Sequence, residues 1–390
     1  MSFRAWLSAR FFLFFLTWSV YLAYWGIWLL GSGFRATDVG VIVTAGLVSR
    51  SISVAYLYPL LCRLASLRLL AGLLAWGSAV LSLLYLTATE LTSMVLVSVL
   101  VGACYPLIMP LSETLATVGA EEGHADYGSV RYWGSAGFIV GLAISGLVDA
   151  AAGSDALVWE FIAGCTLLAV VGLIQPRGVV LGRVDPGRGG RRGLLANRTY
   201  LLCLVVSLLL QGAHGVYYAF GASYLGSLGV SHLGVSVLLA FPVVFELLLF
   251  KYAVRLLGKR TLPGLFALAT AASLLRWGML ALPLPLSLVI ASQVLHAGTF
   301  ALTHFAHAQA VRLHVPQNLW ATAHGLYASV AMSLGVGLAT AAAGPVYAGS
   351  PRAAFLVMAV MCLPCLPLAG ALAASLRNRR TVTESVEATS

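Results

Sequence analysis

Charge is scarce in this sequence. Of 390 residues, 9% are charged. A soluble domain carries about 25%, so this chain cannot cover itself with a wetted surface, and a soluble globular fold is excluded. Acid is scarcer than base: 13 Asp and Glu stand against 23 Lys and Arg, a net charge of +10. The excess lies mostly in loop arginines, without a basic helix or an aromatic RNA-binding pattern. It points to anionic lipid headgroups as partners and away from nucleic acid. Cysteine is confined to Cys62, Cys104, Cys165, Cys203, Cys362 and Cys365. Nearly all lie inside apolar runs, where a cysteine packs as a small hydrophobe. Cys362-Leu363-Pro364-Cys365 has redox-motif spacing but no thioredoxin-like surroundings, so packing is its expected role. No nucleophile–base–metal set appears at helix-compatible spacing, so no catalytic residue and no enzyme activity are expected. A cleavable leader is not evident either. The first apolar run, from about Ala9 to Leu30, is too long for a signal h-region and right for a span.

What fills the sequence is apolar residues: 60% are hydrophobic and the mean hydropathy is +0.93. A membrane span takes about 20 such residues. Counting on that basis predicts an all-α membrane protein with twelve transmembrane helices. They fall at 8–31, 38–61, 67–88, 91–115, 128–151, 157–175, 199–225, 233–256, 262–282, 286–311, 321–347 and 352–376. Residues 176–198 break the series with Pro176, Arg177, Arg183, Pro186, Arg188, Arg191, Arg192 and Arg198. The expected organisation is an N-terminal six-helix bundle at 1–175, a basic cytoplasmic linker at 176–198, a C-terminal six-helix bundle at 199–376, and a polar cytoplasmic tail at 377–390 without structure.

Alternate loops hold Arg63 and Arg68, Arg131, the linker cluster, Arg255 with Lys259 and Arg260, and Arg312. The opposite loops hold only Arg35 and Arg352. Positive charge stays inside, so both termini are expected in the cytoplasm. Gly102 and Glu113 of the fourth span are spaced like Gly298 and Gln309 of the tenth, as duplicated halves would leave them. Small residues mark close helix packing: Gly137, Gly141 and Ser145 in the fifth span, and Gly325, Ser329, Ser333 and Gly337 in the eleventh.

Each charge near mid-bilayer costs about 2.5–3.5 kcal/mol on insertion scales and asks for a reason. Arg50 lies near the middle of the second span and has no acidic partner within it, Asp38 standing at the far start. Such an arginine can hold a substrate carboxylate by two parallel hydrogen bonds. Tyr21, Tyr24, Trp25, Tyr217 and Tyr218 are candidates to line the same cavity, or to pack or anchor at the interface. Glu246 of the eighth span, His296 of the tenth and His214 of the seventh, beside Gln211, fall near one depth. Arg276 of the ninth lies slightly outward. Burial favours a neutral carboxylate and a nearby guanidinium favours a charged one. A glutamate that moves between those settings binds and releases a proton. Glu246 with Arg276 is the expected pair, with His296 as relay; a fixed structural ion pair is the alternative. His304 shares a face with His296, two turns on. His304 and His307 lack a nearby carboxylate or cysteine in sequence, so no metal site is expected. Lys251 is expected to snorkel and Asp38 to cap a helix. Glu113 near the end of the fourth span and Arg131 at the start of the fifth are placed to meet.

With these residues in view the chain resembles the major facilitator superfamily, and within it the 3-phenylpropionic acid transporter family, akin to the lactose permease. The resemblance runs to about residue 376. It rests on Gly46-Leu47-Val48-Ser49-Arg50, Asp126-Tyr127-Gly128 through Gly134, Gln211-Gly212-Ala213-His214 with Tyr217-Tyr218, Glu246, Arg276-Trp277-Gly278, and His296 with Gly298-Thr299-Phe300 and His304. It implies two six-helix bundles, alternating access, and proton-driven import of a small molecule, foremost an aromatic monocarboxylate such as 3-phenylpropionate, across a bacterial-type inner membrane. A sugar or nucleoside symporter, or a metabolite exporter, are the alternatives. Proton coupling is then assigned to Glu246, Arg276 and His296. Substrate contact is assigned to Arg50, Glu113, Arg131, Gln211, His214, Tyr217, Tyr218 and His304, with Glu113–Arg131 alternatively an inner gate. The expected state is a monomer without cofactor, driven by the proton gradient. Two features depart from the pattern: Cys62 to Arg68 lacks the carboxylate of the superfamily signature, and Ser112-Glu113 stands where Thr-Asp is expected.

Overall fold

In a bilayer every backbone amide must be satisfied within its own segment, which leaves a chain of apolar runs only the helix. The computed structural model describes residues 1–174, 176, 182 and 191–387. Among them no strand occurs, and twelve helices are long and apolar enough to cross a membrane. These are α1 (Phe3–Gly31), α2 (Ala36–Leu64), α3 (Leu67–Leu86), α4 (Leu91–Ala120), α5 (Ser129–Ala152), α6 (Ser154–Leu173), α7 (Arg198–Ser227), α8 (His232–Ala253), α9 (Leu262–Ala281), α10 (Leu286–His314), α11 (Trp320–Gly349) and α12 (Pro351–Arg377). Each matches one expected span. α4 runs on past its expected end to Ala120, because Thr117 and its neighbours can stay helical where hydropathy falls; α1 starts as far ahead of its expected start. Most of the linker expected at 176–198 lies outside the described residues; Arg191–Ala196 is helical. The tail is helical through Glu387, where its polar composition predicts loss of structure.

Caps fix several starts. Asp126 accepts from the Ser129 amide at 2.8 Å, Asn197 from those of Thr199 and Tyr200, and Thr261 from that of Gly264. Asp38 accepts from the Arg35 amide at 3.1 Å, the reciprocal half of a capping box. Gly33 and Gly153 take positive φ of 90° and 79° where α1 and α5 end, a conformation costly for other residues.

The large side chains face outward. On α3, Leu69, Leu73, Trp76, Val80 and Leu83 are exposed, whereas Ala71, Ala75, Ser78, Ala79 and Ser82 are buried. Lipid gives helices no hydrophobic reason to associate, so close backbone approach must do it. On α5, side chains added at Gly137 and Gly141 would collide with the α1 backbone at Phe12 and Leu16, as the expected stripe requires. On α11 the expected stripe holds in part: Ser329, Ser333 and Gly337 are buried, whereas Gly325 meets nothing. A close crossing outside the stripe sets Gly335 against Leu208 and Gly212 of α7. Tyr327–Gly335 is a π-helix, whose wider turn shifts a four-residue count. Arg10 is fully buried and donates from Nη1 to the Ala71 carbonyl at 3.3 Å.

By contact the chain forms two compact units. The first comprises Met1–Gly187, Tyr217–Ala240 and Thr340–Ala348; the second comprises Arg188–Val216, Phe241–Ala339 and Gly349–Ser390. Within the first, Gly26 abuts the Ala219 carbonyl, Tyr24 and Ser236 share a 2.7 Å hydrogen bond, and His232 meets Asp149 at 2.5 Å.

Candidate functional site

In the first unit, α2 and α4 cross where Gly102 faces the Gly46 carbonyl, and Ser49 donates to the Val99 carbonyl at 2.7 Å. One turn past Gly46 stands Arg50. Its guanidinium lies 4.8 Å from the Trp18 ring centre, and its buried Nε meets no hydrogen-bond partner among the described residues. Trp18 and Tyr21, both half-buried, form the open edge of a large aromatic cluster. Phe14 stacks on Trp18 at 6.0 Å, Tyr21 lies 5.2 Å from Trp25, and Tyr105, Tyr85 and Phe161 close the far side. The rings come from α1, α3, α4 and α6. Of these, sequence reasoning singled out Tyr21 and Trp25; nothing local marks the others, because they meet only in three dimensions. Tyr217 and Tyr218 also belong to this unit, and Tyr217 is buried.

Glu113 and Arg131 do meet. Arg131 Nε lies 3.2 Å from Glu113 Oε1, both side chains about one-third exposed, and the guanidinium sits 4.5 Å from the Phe15 ring centre.

The second unit holds a polar network on α7, α8, α9 and α10. Arg276, fully buried, reaches His296 Nδ1 from Nη1 at 2.9 Å and donates to Gln293 Oε1 from Nη2 at 3.2 Å. His296 Nε2 in turn lies 3.6 Å from Glu246 Oε2. His296 therefore contacts both members of the expected Glu246–Arg276 pair. A guanidinium can only donate, so Nδ1 of His296 accepts and the ring proton sits on Nε2, directed at the carboxylate. Arg276 Nη1 also donates to Thr299 Oγ1 at 3.3 Å, and that hydroxyl lies 3.0 Å from His214 Nε2. His214 Nδ1 faces the Leu210 and Gln211 carbonyls, so it carries the proton, and Nε2 accepts from Thr299. Both carbonyls lie where α7 is interrupted at Ala213–His214, and that of Gln211 also accepts from the His214 amide at 3.1 Å. Broken helices of this kind expose backbone groups in transporters. Gln211 Nε2 donates to the Phe300 carbonyl at 3.2 Å and to the Tyr327 hydroxyl at 2.8 Å. His304 lies 5.2 Å from the Tyr327 ring.

Sequence reasoning missed Gln293 and Thr299 as members. They stand three residues before and after His296, and that spacing could have found them. Tyr327 on α11 left no such signal. Both α10 and α11 carry π-helical turns at the network, Ala297–Ala301 and Tyr327–Gly335; α1 carries one at Val20–Tyr24, beside the aromatic edge. Such turns widen a helix and are frequent at functional sites.

The MFS_1 like family matches residues 4–357. The chain is 26% identical over 366 residues to the probable 3-phenylpropionic acid transporter of Escherichia coli (strain K12), spanning 93% of this chain and 96% of that protein. It is 28% identical over 267 residues to the maltose permease of Geobacillus stearothermophilus, spanning 68% of each. Among solved structures, the nucleoside transporter NupG aligns with a TM-score of 0.82 at 18% identity, over 96% of this chain and 99% of that one. At such identity the likeness speaks for the fold. With twelve helices able to cross a bilayer and a family match over nearly its whole length, the chain is a multi-pass membrane transporter of the major facilitator fold, not an enzyme, and it belongs to the MFS_1 like family.

Proposed function

We propose that this chain is a proton-coupled symporter that imports a small aromatic monocarboxylate, of the 3-phenylpropionate type, across a bacterial-type inner membrane. Bundles 1–175 and 199–376 alternate access, both termini stay in the cytoplasm, and the protein works as a monomer without cofactor. Arg50 carries the reading. A half-buried arginine whose buried Nε is unmet, beside the half-buried rings of Trp18 and Tyr21, suits a ligand with a carboxylate at one end and an aromatic ring at the other. A neutral sugar would leave that charge uncompensated.

Coupling belongs to Glu246, His296 and Arg276. As an anion, Glu246 attracts the Nε2–H of His296 and ties α8 to α10. Protonated, it loses that attraction, and α8 is released while Arg276 keeps its bonds to Gln293 and Thr299. One proton thereby changes which helices are tied. Gln211, His214 and His304 continue the same network and are proposed to contact substrate from the second unit, as Tyr217 and Tyr218 are from the first. Glu113–Arg131, a satisfied pair near the loop, fits a clasp at the end of α4 and α5 better than a substrate contact.

Purified protein in liposomes tests this. Labelled 3-phenylpropionate should accumulate when the outside is acid and stop doing so with a protonophore. Accumulation of maltose or a nucleoside in its place would replace the aromatic-acid reading.

A further inference from the structure

Beyond the coupling network lies a second set of titratable side chains. On α10, His304 and His307 are three residues apart and share a face; on α11, His324 and Tyr327 do the same. The two faces meet. The His307 ring stacks on Tyr327 at 4.3 Å and 26°, His304 lies 5.2 Å from Tyr327, and His324 lies 6.4 Å from His307. Tyr200 of α7 packs on His307 at 5.8 Å and donates its hydroxyl to the Ala323 carbonyl at 2.9 Å, which holds α7 to α11 at this level. An apolar cluster that includes Leu204, Val311, Val315 and Ala331 surrounds the group.

His307 itself is buried and half-satisfied. Its Nδ1 lies 3.3 Å from Ser207 Oγ, whereas its buried Nε2 meets no hydrogen-bond partner among the described residues. An unmet buried polar atom costs about 1–3 kcal/mol, so a histidine with a purely structural role would have both nitrogens paired. His324, by contrast, is exposed. The set is wired to the coupling network: Gln211 holds the Tyr327 hydroxyl with its amide, and its carbonyl faces His214 Nδ1. His307 stands eleven residues beyond His296, about 16 Å along α10, toward the end that carries Arg312 and His314.

We propose that His307, with Tyr327 and His324 beside it, is a second proton station on which the coupled proton rests between the Glu246–His296–Arg276 network and the arginine-bearing end of α10. The proton binds the open Nε2 of His307 and leaves through His324. No bond other than N–H is made or broken. The titratable groups facing His307 are Tyr200 of α7, His304 of its own helix, and Tyr327 and His324 of α11. Among the described residues no three histidine, cysteine or acidic side chains are poised to share a metal, so the fitting ligand is the proton.

The inference rests on proton coupling, and the experiment separates the two. In proteoliposomes, the initial rate of 3-phenylpropionate uptake and the rate of exchange at equal substrate are measured while only the lumenal pH is varied across the histidine range. Wild type should take up substrate more slowly as the lumen is acidified. His307→Gln should lower net uptake roughly tenfold, lose the response to lumenal pH, and keep wild-type exchange, which needs no net proton release. His324→Asn, at an exposed position, should weaken the lumenal response in the same direction. A wild-type rate and wild-type lumenal response in His307→Gln would overturn the station while leaving coupling intact. Net uptake and exchange falling in step would overturn it too, in favour of a structural role. A wild type that never accumulates substrate under a proton gradient would remove coupling and the station together.

Discussion

In the proposed function, Arg50 is the residue on which substrate choice turns. Arg50→Gln removes the charge and the fork of donors while leaving the Trp18 and Tyr21 rings in place. A charge-assisted hydrogen bond contributes about 1.5–3 kcal/mol, so affinity for an aromatic carboxylate should fall about 10- to 100-fold. Arg50→Lys should recover only part of it, because an ammonium cannot make the planar two-point contact. Calorimetry on purified variants of equal thermal stability checks this, and unchanged affinity in Arg50→Gln would remove the anchor role. This residue was legible because a charge in mid-span stands out in any apolar run. The contacts of His296 with both Glu246 and Arg276 were not. Position along a helix gives depth, and all three are close in depth, but which side chains touch depends on how each helix is turned about its axis. That angle is set by tertiary packing.

At the scale of the helix, the α2–α4 seam positions Arg50. Its backbone approach leaves no room for a methyl group at Gly102, which would run into the Gly46 carbonyl. Gly102→Ala should cost about 1–3 kcal/mol by overpacking, seen as a lower melting temperature, and transport should fall beyond the loss of folded protein because Arg50 moves with α2. Gly278→Ala, with open space around its site, is the control and should leave both unchanged. A second attachment is the first turn of α8. His232 and Ser236 meet Asp149 of α5 and Tyr24 of α1. Asp149→Asn removes the charge of that attachment. A cysteine introduced at Val237 should then react faster with a water-soluble maleimide, if this turn opens during the cycle; equal labelling would mean that the Asp149–His232 bond does not hold it. Helix number and order were legible because hydropathy reports them directly. So was the meeting of Glu113 with Arg131, since one short loop joins their helices. The α11 stripe was legible only in part, because the π-turn that brings Gly335 to the close crossing leaves no mark in composition. The aromatic cluster went largely unseen because its rings come from four helices.

For the whole molecule, the question is whether one proton on Glu246 is tied to one translocation event. Twelve helices and the family explain transport; they do not by themselves supply a driving force. The network on α8, α9 and α10 does so only if the charge state of Glu246 decides whether α8 is held. Glu246→Gln fixes the uncharged form. It should abolish accumulation of 3-phenylpropionate against its gradient, while exchange of labelled for unlabelled substrate continues, because exchange returns without releasing a proton. The most direct measurement is therefore both rates in proteoliposomes at matched protein, wild type beside Glu246→Gln, under an inward proton gradient. Lost accumulation with exchange within about twofold of wild type is the predicted result. Accumulation by Glu246→Gln equal to wild type would contradict the assignment and show that the coupled proton is carried elsewhere.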